Sequence, residues 1–176
     1  MKTLRTERLT LRPFTLADAP RIQELAGVYE VALNTMHIPH PYPEGAAEMW
    51  IGSHADDEAQ NRARHFALDD GQLVGGMGLV MKGDAIAELG YWVGKPFWNR
   101  GYASEAAREV VRYGFEECGL HRIYAGYFTR NPASGRVLEK IGMRREGTLR
   151  HHARKWDEYV DVVFYGILRD EFSSPR

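Results

Sequence analysis

The chain has 176 residues, 44% of them hydrophobic and 27% charged, with a formal net charge of −1. That is enough for one domain with a substantial core, too little for two, and too apolar for wholesale disorder. The near-zero charge argues against nucleic acid as the main partner, a single cysteine (Cys118) excludes an intrachain disulfide and a cysteine-built zinc site, and no apolar run reaches the length of a membrane span.

Met1 to Glu7 is no signal peptide, so a reducing cytoplasm is the expected setting. Residues 5–14 alternate, with Leu9, Leu11 and Pro13 against Arg8, Thr10 and Arg12, which predicts a first strand. Asp18 as N-cap puts Pro20 inside the first turn of a helix whose apolar face is Ile22, Leu25 and Ala26. From residue 27 to 43 the pattern weakens, and residues 34–43, with Pro39, Pro41 and Pro43, read as an ordered loop of the kind that carries binding groups. A helix over 44–61 follows, with Ala47, Trp50, Ile51 and His54 at helical spacing. Three strands, 64–69, 73–81 and 85–93, are joined by the hairpin signals Asp70-Gly71 and Gly83-Asp84. Gly75, Gly76 and Gly78 within one strand indicate close approach by another backbone or a ligand.

The stretch Pro96-Phe97-Trp98-Asn99-Arg100-Gly101-Tyr102-Ala103-Ser104 feeds the third strand of this set into a helix running to about Cys118. A turn that opens a helix presents backbone N–H groups without intrahelical acceptors, backed by the positive end of the helix dipole. That is a site for an anion such as a pyrophosphate, and Gly101 and Ala103 leave room for it. No Gly-Lys-Ser/Thr follows, so it is not a Walker A loop, and G-x-G-x-x-G is absent. The helix buries Ala103, Ala106, Ala107, Val110, Val111 and Gly114 and turns Glu105, Arg108, Glu109, Arg112 and Glu116 outward. A strand over 122–128 comes next. Asn131 then caps a helix with Pro132 at its first position, and Gly142 closes it. Two more strands are expected over 144–148 and 159–168. Residues 1–176 form one α/β domain.

Several pieces together are recognisable: Thr6-Glu7-Arg8-Leu9 with Leu11-Arg12-Pro13, Glu88-Leu89-Gly90-Tyr91-Trp92-Val93, and Trp98 to Ala106. Asn131-Pro132-Ala133-Ser134, Leu138-Glu139-Lys140-Ile141-Gly142-Met143, Glu146-Gly147, and Asp161 with Tyr165 complete the set. In this order, over about residues 1–172, the sequence resembles the GNAT N-acetyltransferase superfamily, in the wording of its RimJ/RimL-type branch. One position departs from the general Gln/Arg-x-x-Gly-x-Gly/Ala motif, which here begins with Trp98; an aromatic at that place resembles the branch.

The resemblance implies a mixed, mostly antiparallel central sheet of about seven strands flanked by four helices. It implies acetyl-CoA as co-substrate and a primary amine, on a protein N-terminus or a small molecule, as acceptor. The diphosphate would rest on the amides of Arg100, Gly101, Tyr102, Ala103 and Ser104, with Arg100 adding a charge-assisted contact. Backbone at Tyr91, Trp92 and Val93 would meet the pantetheine arm and the thioester carbonyl, where that strand splays from the strand over 122–128. Asn131 would face the same arm besides capping its helix, and Ser134 would sit near the sulfur.

Glu88 shares a strand face with Ile86, Gly90 and Trp92, and is either a base, acting directly or through water, or half of a structural ion pair. Some ribosomal-protein members of the family carry a base glutamate after the Glu-Gly pair; here that segment reads Arg150-His151-His152-Ala153-Arg154, which counts against a ribosomal substrate. His37 and His40 lack a third ligand, so no metal is expected; His37, Tyr42 and Trp50 read instead as a substrate wall. Homodimers are common in the family. A non-catalytic acyl-CoA sensor on the same scaffold is the alternative reading.

Overall fold

In a computed structural model that describes residues 2–172, the chain opens with two short strands, β1 (Leu4–Arg5) and β2 (Thr10–Arg12). The single strand expected over 5–14 is broken by a turn: the Thr6 amide donates to Leu9 O at 2.9 Å, and Thr6 Oγ1 accepts from the Leu9 amide at 3.0 Å. A short 3-10 turn leads to α1 (Ala19–Ala26), and a five-residue helix that the weakened pattern did not announce, α2 (Tyr29–Leu33), precedes the expected loop. Then come α3 (Ala46–Ala59), β3 (Ala63–Asp69), β4 (Leu73–Gly83), β5 (Ile86–Val93), α4 (Tyr102–Glu116), β6 (Arg122–Phe128) and α5 (Pro132–Lys140). A long hairpin, β7 (Arg144–Lys155) with β8 (Glu158–Leu168), ends the sheet. The strand expected over 144–148 runs seven residues further, past two register shifts that let it continue along β8.

The eight strands lie in the order β1-β2-β3-β4-β5-β6-β8-β7, antiparallel except between β5 and β6. Among the described residues, eight strands and five α-helices stand where about seven and four were expected, because the first strand is split and α2 is added. Side chains alternate across a strand, so Ala87, Leu89 and Tyr91 of β5 pack under α4 and α5 with Val110, Val111 and Leu138. The opposite face of the sheet packs Ala67 against Phe14, Ile22, Ala47 and Ile51 from the α1 and α3 side.

Asp18 precedes α1 as expected, but its carboxylate does not cap that helix. It takes two bonds of 2.8 Å from the Arg12 guanidinium and one of 2.8 Å from the Thr15 amide. Burial opposes its charge, yet Arg12 and Thr15 hold it below the ordinary carboxylate range. The close approach at the β4 glycines comes from neighbouring strands: a β-carbon on Gly75 would strike the Trp92 carbonyl, and one on Gly78 the Arg64 carbonyl.

Candidate active site

The parallel ladder between β5 and β6 covers only Ile86–Arg122, Ala87–Ile123 and Glu88–Tyr124. Beyond Glu88 the two strands part, leaving backbone from Leu89 to Val93 unpaired on that side. A cavity of about 1080 Å³ fills the opening and continues to both faces of the sheet. Its walls include the start of α4, the start of α5, and the 34–42 loop.

Gly101, at φ +82°, turns the chain into α4, a backbone conformation that a side chain would strain. Among the described residues, no acceptor takes the amides of Gly101, Tyr102, Ala103 or Ser104, and all four residues line the cavity. The turn is braced from two sides. Trp98 Nε1 donates to Val93 O at 2.7 Å, tying the helix start to the end of β5. Arg8 donates to Arg100 O at 2.9 Å and to Glu105 at 2.7 Å, while Thr6 Oγ1 donates to Glu105 at 2.6 Å. Glu105 is therefore a buttress rather than a solvated outer residue, and burial, which opposes its charge, is outweighed by Thr6 and Arg8. The Arg100 guanidinium lies over the Phe97 ring, 5.4 Å from its centroid, and does not line the cavity.

At α5, Asn131 Oδ1 accepts from the Ser134 amide at 3.4 Å, as a helix cap does. Ser134 Oγ stands 2.6 Å from the Tyr91 hydroxyl. Burial pushes the Tyr91 phenol up to about 12, with Ser134 pulling the other way. From the sequence, only the backbone of Tyr91 is expected here. The alternation that sends Glu88, Gly90 and Trp92 to one face sends Tyr91 to the other, toward α5, and that was the available signal.

On the opposite face of the sheet, Glu88 is 37% exposed and pairs with Lys82 at 2.7 Å. His37 is exposed at the rim; Tyr42 and Trp50 are half-buried, and Trp50 meets Phe14 edge-on at 4.9 Å. Burial raises the Tyr42 phenol. Sequence reasoning missed Lys155, a cation only 4% exposed, whose ammonium donates to Ile38 O at 2.7 Å. Its neighbour Trp156 stacks on Tyr29 of α2 at 5.6 Å and faces His40, so α2 and the 34–42 loop are both held against the β7–β8 hairpin. His151 and His152 belong to β7, both exposed; His152 lines the cavity and meets Phe164 edge-on at 5.2 Å. Among the described residues, no group of three or more His, Cys, Asp or Glu could hold a metal, and no helix is long and apolar enough to cross a membrane.

The model of the acetyltransferase (GNAT) domain matches residues 8–144, which contain the splayed strands, the α4 turn and the start of α5. The chain belongs to the GNAT acetyltransferase family. It is 36% identical to the uncharacterized N-acetyltransferase YnaD of Bacillus subtilis, over 96% of this chain and 98% of that one. A crystal structure of a GNAT-family acetyltransferase from Bacillus anthracis superposes with a TM-score of 0.84 at 30% identity, covering 96% of this chain and 99% of the other. The fold of Mycobacterium smegmatis RimJ, solved with CoA-disulfide, matches with a TM-score of 0.86 at 24% identity, over 98% and 88% of the two chains. Acetyl-CoA is the donor that GNAT acetyltransferases use. Trp98, the position where this GNAT chain departs from the general motif, is spent on holding β5 to α4.

Proposed function

We propose that this GNAT chain transfers the acetyl group of acetyl-CoA to a primary amine by direct attack on the thioester, in a reducing cytoplasm. The observation that carries the reading is the set of four free amides at the Gly101 turn beside the unpaired edge of β5. The amides, with the α4 dipole behind them, would hold the diphosphate. The pantetheine amides would extend β5 across the gap, leaving the carbonyl oxygen near the backbone of Trp92 and Val93, where an N–H donor stabilises the oxyanion of the tetrahedral intermediate. As that intermediate collapses, the C–S bond breaks and the thiolate takes a proton. Ser134, held by the Tyr91 hydroxyl, is the nearest hydroxyl to that end of the arm in this reading and hydrogen-bonds the departing thiolate, while the proton the thiolate takes is the one the amine nitrogen gives up, delivered through solvent. Asn131 holds the Ser134 turn in place.

The acceptor enters from the opposite face, over Gly90, and its ammonium must lose a proton before attack. Glu88 on that face is the proposed base through water, released from Lys82 as the amine arrives. His37, Tyr42 and Trp50 form the outer wall. Acetyl-CoA titration followed by a thiol-release assay with a panel of primary amines tests the whole. Heat release on binding together with thiol release on at least one amine is the expected result; binding without turnover on any amine means a sensor rather than an enzyme. Glu88→Gln should lower kcat and flatten the acidic limb of the pH–rate profile, and an unaltered profile rejects the base role.

A further inference from the structure

The acceptor face holds a carboxylate–imidazole pair that no step above uses. Asp57 of α3 accepts from Arg62 Nε at 2.9 Å, and its second carboxylate oxygen lies 3.4 Å from Nε2 of His65 on β3. Burial opposes the Asp57 charge, but Arg62 and His65 hold it below the ordinary carboxylate range. An ionised carboxylate only accepts, so Nε2 of His65 carries the hydrogen and Nδ1 keeps its lone pair. His54 stacks on the His65 ring at 4.1 Å and 20°, and Trp50 meets it edge-on at 5.7 Å, so the ring plane is fixed. Near-parallel stacked rings cannot turn their lone pairs to one point, which rules the pair out as a metal clamp.

The free nitrogen lies over Gly78, another residue of the cavity wall. It stands 3.3 Å from where a β-carbon on Gly78 would be, and His65 is a lining residue. His65 pairs with Gly78, and Gly78 with Gly90, so the line from the imidazole to the mouth of the β5–β6 gap crosses two glycines. A β-carbon on Gly90 would meet nothing within 4 Å, so this floor is open backbone at its far end. Two strand spacings make the span about 10 Å.

We infer that His65 Nδ1, oriented by Asp57, is the recognition point for a hydrogen-bond donor that the acceptor carries about 10 Å from its reacting amine. The acceptor is then a two-headed primary amine, with a hydroxyl, amide N–H or second ammonium at its far end, lying across β4. This rests on the acetyltransferase reading. The pair would otherwise serve only to tie α3 to β3.

Matched probes separate the two roles: 1,6-diaminohexane against hexylamine, and tyramine against phenethylamine, each in the thiol-release assay. Wild type should favour the two-headed member of at least one pair in kcat/KM by about tenfold, the worth of one ordinary hydrogen bond. His65→Phe should bring that ratio close to one through KM of the two-headed amine, and Asp57→Asn should lower it part of the way. Equal ratios in wild type and His65→Phe for every pair overturn the inference while leaving the acetyltransferase standing. Thiol release with no amine of either kind overturns both. Should His65→Phe fail to fold, the wild-type chain still decides. Its His65 ¹⁵N signals should report an unprotonated Nδ1 that shifts when diaminohexane is added to the acetyl-CoA complex, and a protonated or unmoved Nδ1 sinks the idea.

Discussion

The two faces of the parted β5–β6 edge are built from different materials. Toward α4 and α5, the candidate donor site is made mostly of backbone: the amides at Gly101–Ser104, the open edge of β5, and the cap at Asn131. Toward α1, α3 and the 34–42 loop, the candidate acceptor site is made of side chains: Glu88, His65, Trp50, Tyr42 and the Lys155 brace. Backbone sites depend on a few residues that permit a conformation, while side-chain sites depend on every residue in the wall. The first face should therefore break at single permissive positions, and the second should degrade piecemeal.

The largest effect belongs to Gly101→Val. A β-branched residue at φ +82° is strained and would push its methyls toward the amides, so acetyl-CoA affinity should fall by at least about 30-fold in calorimetry. Unchanged affinity would remove the donor site from this turn. Next, Ser134→Ala and Tyr91→Phe should each lower kcat by about 10- to 100-fold with little change in acetyl-CoA Kd, and the double variant should be no worse than the poorer single one, since the hydroxyls are in contact. Additive losses would show that they act separately.

On the other face, Lys155→Met removes a buried cation and leaves the Ile38 carbonyl without its donor. That should cost about 1–3 kcal/mol of stability and raise KM for amines while donor affinity holds; equal damage to both substrates would blur the contrast between faces. The smallest effect is a pH slope. Burial first, and then His65, holds the His54 imidazole down to about 4, against an ordinary 6.5. The unfolded chain therefore binds the proton more readily, so this stabilising contribution is complete above pH 6.5 and lost as pH falls through about 4. Thermal melts should show Tm declining across that window, and His54→Phe should flatten the decline.

The same division explains what the sequence could reveal. The α4 turn was legible because Gly101 after a strand and before an apolar helix admits few readings, and the cap at Asn131-Pro132 is equally local. Strand and helix bounds from β3 to α5 came out within about two residues because period-2 and period-3.6 patterns switch sharply there. The long β7 was hidden, since Arg144 to Lys155 has no alternation and is carried by pairing to β8 through two irregularities. The first strand looked continuous because the Thr6–Leu9 turn that breaks it is braced by Glu105, about a hundred positions away. Lys155 and the Asp57–His65 pair were invisible for the same reason: their partners are assembled only by the fold.

The bond from Trp98 to the Val93 carbonyl makes the strand end and the helix mouth a single calliper. One jaw is the amide cluster and the other the bare edge of β5, so the gap between them is preset by the protein instead of moulded by its guest. If the proposed reading holds, a carrier with a shorter tether than pantetheine, anchored by its phosphates, would hold its acyl carbon short of the place where the amine arrives.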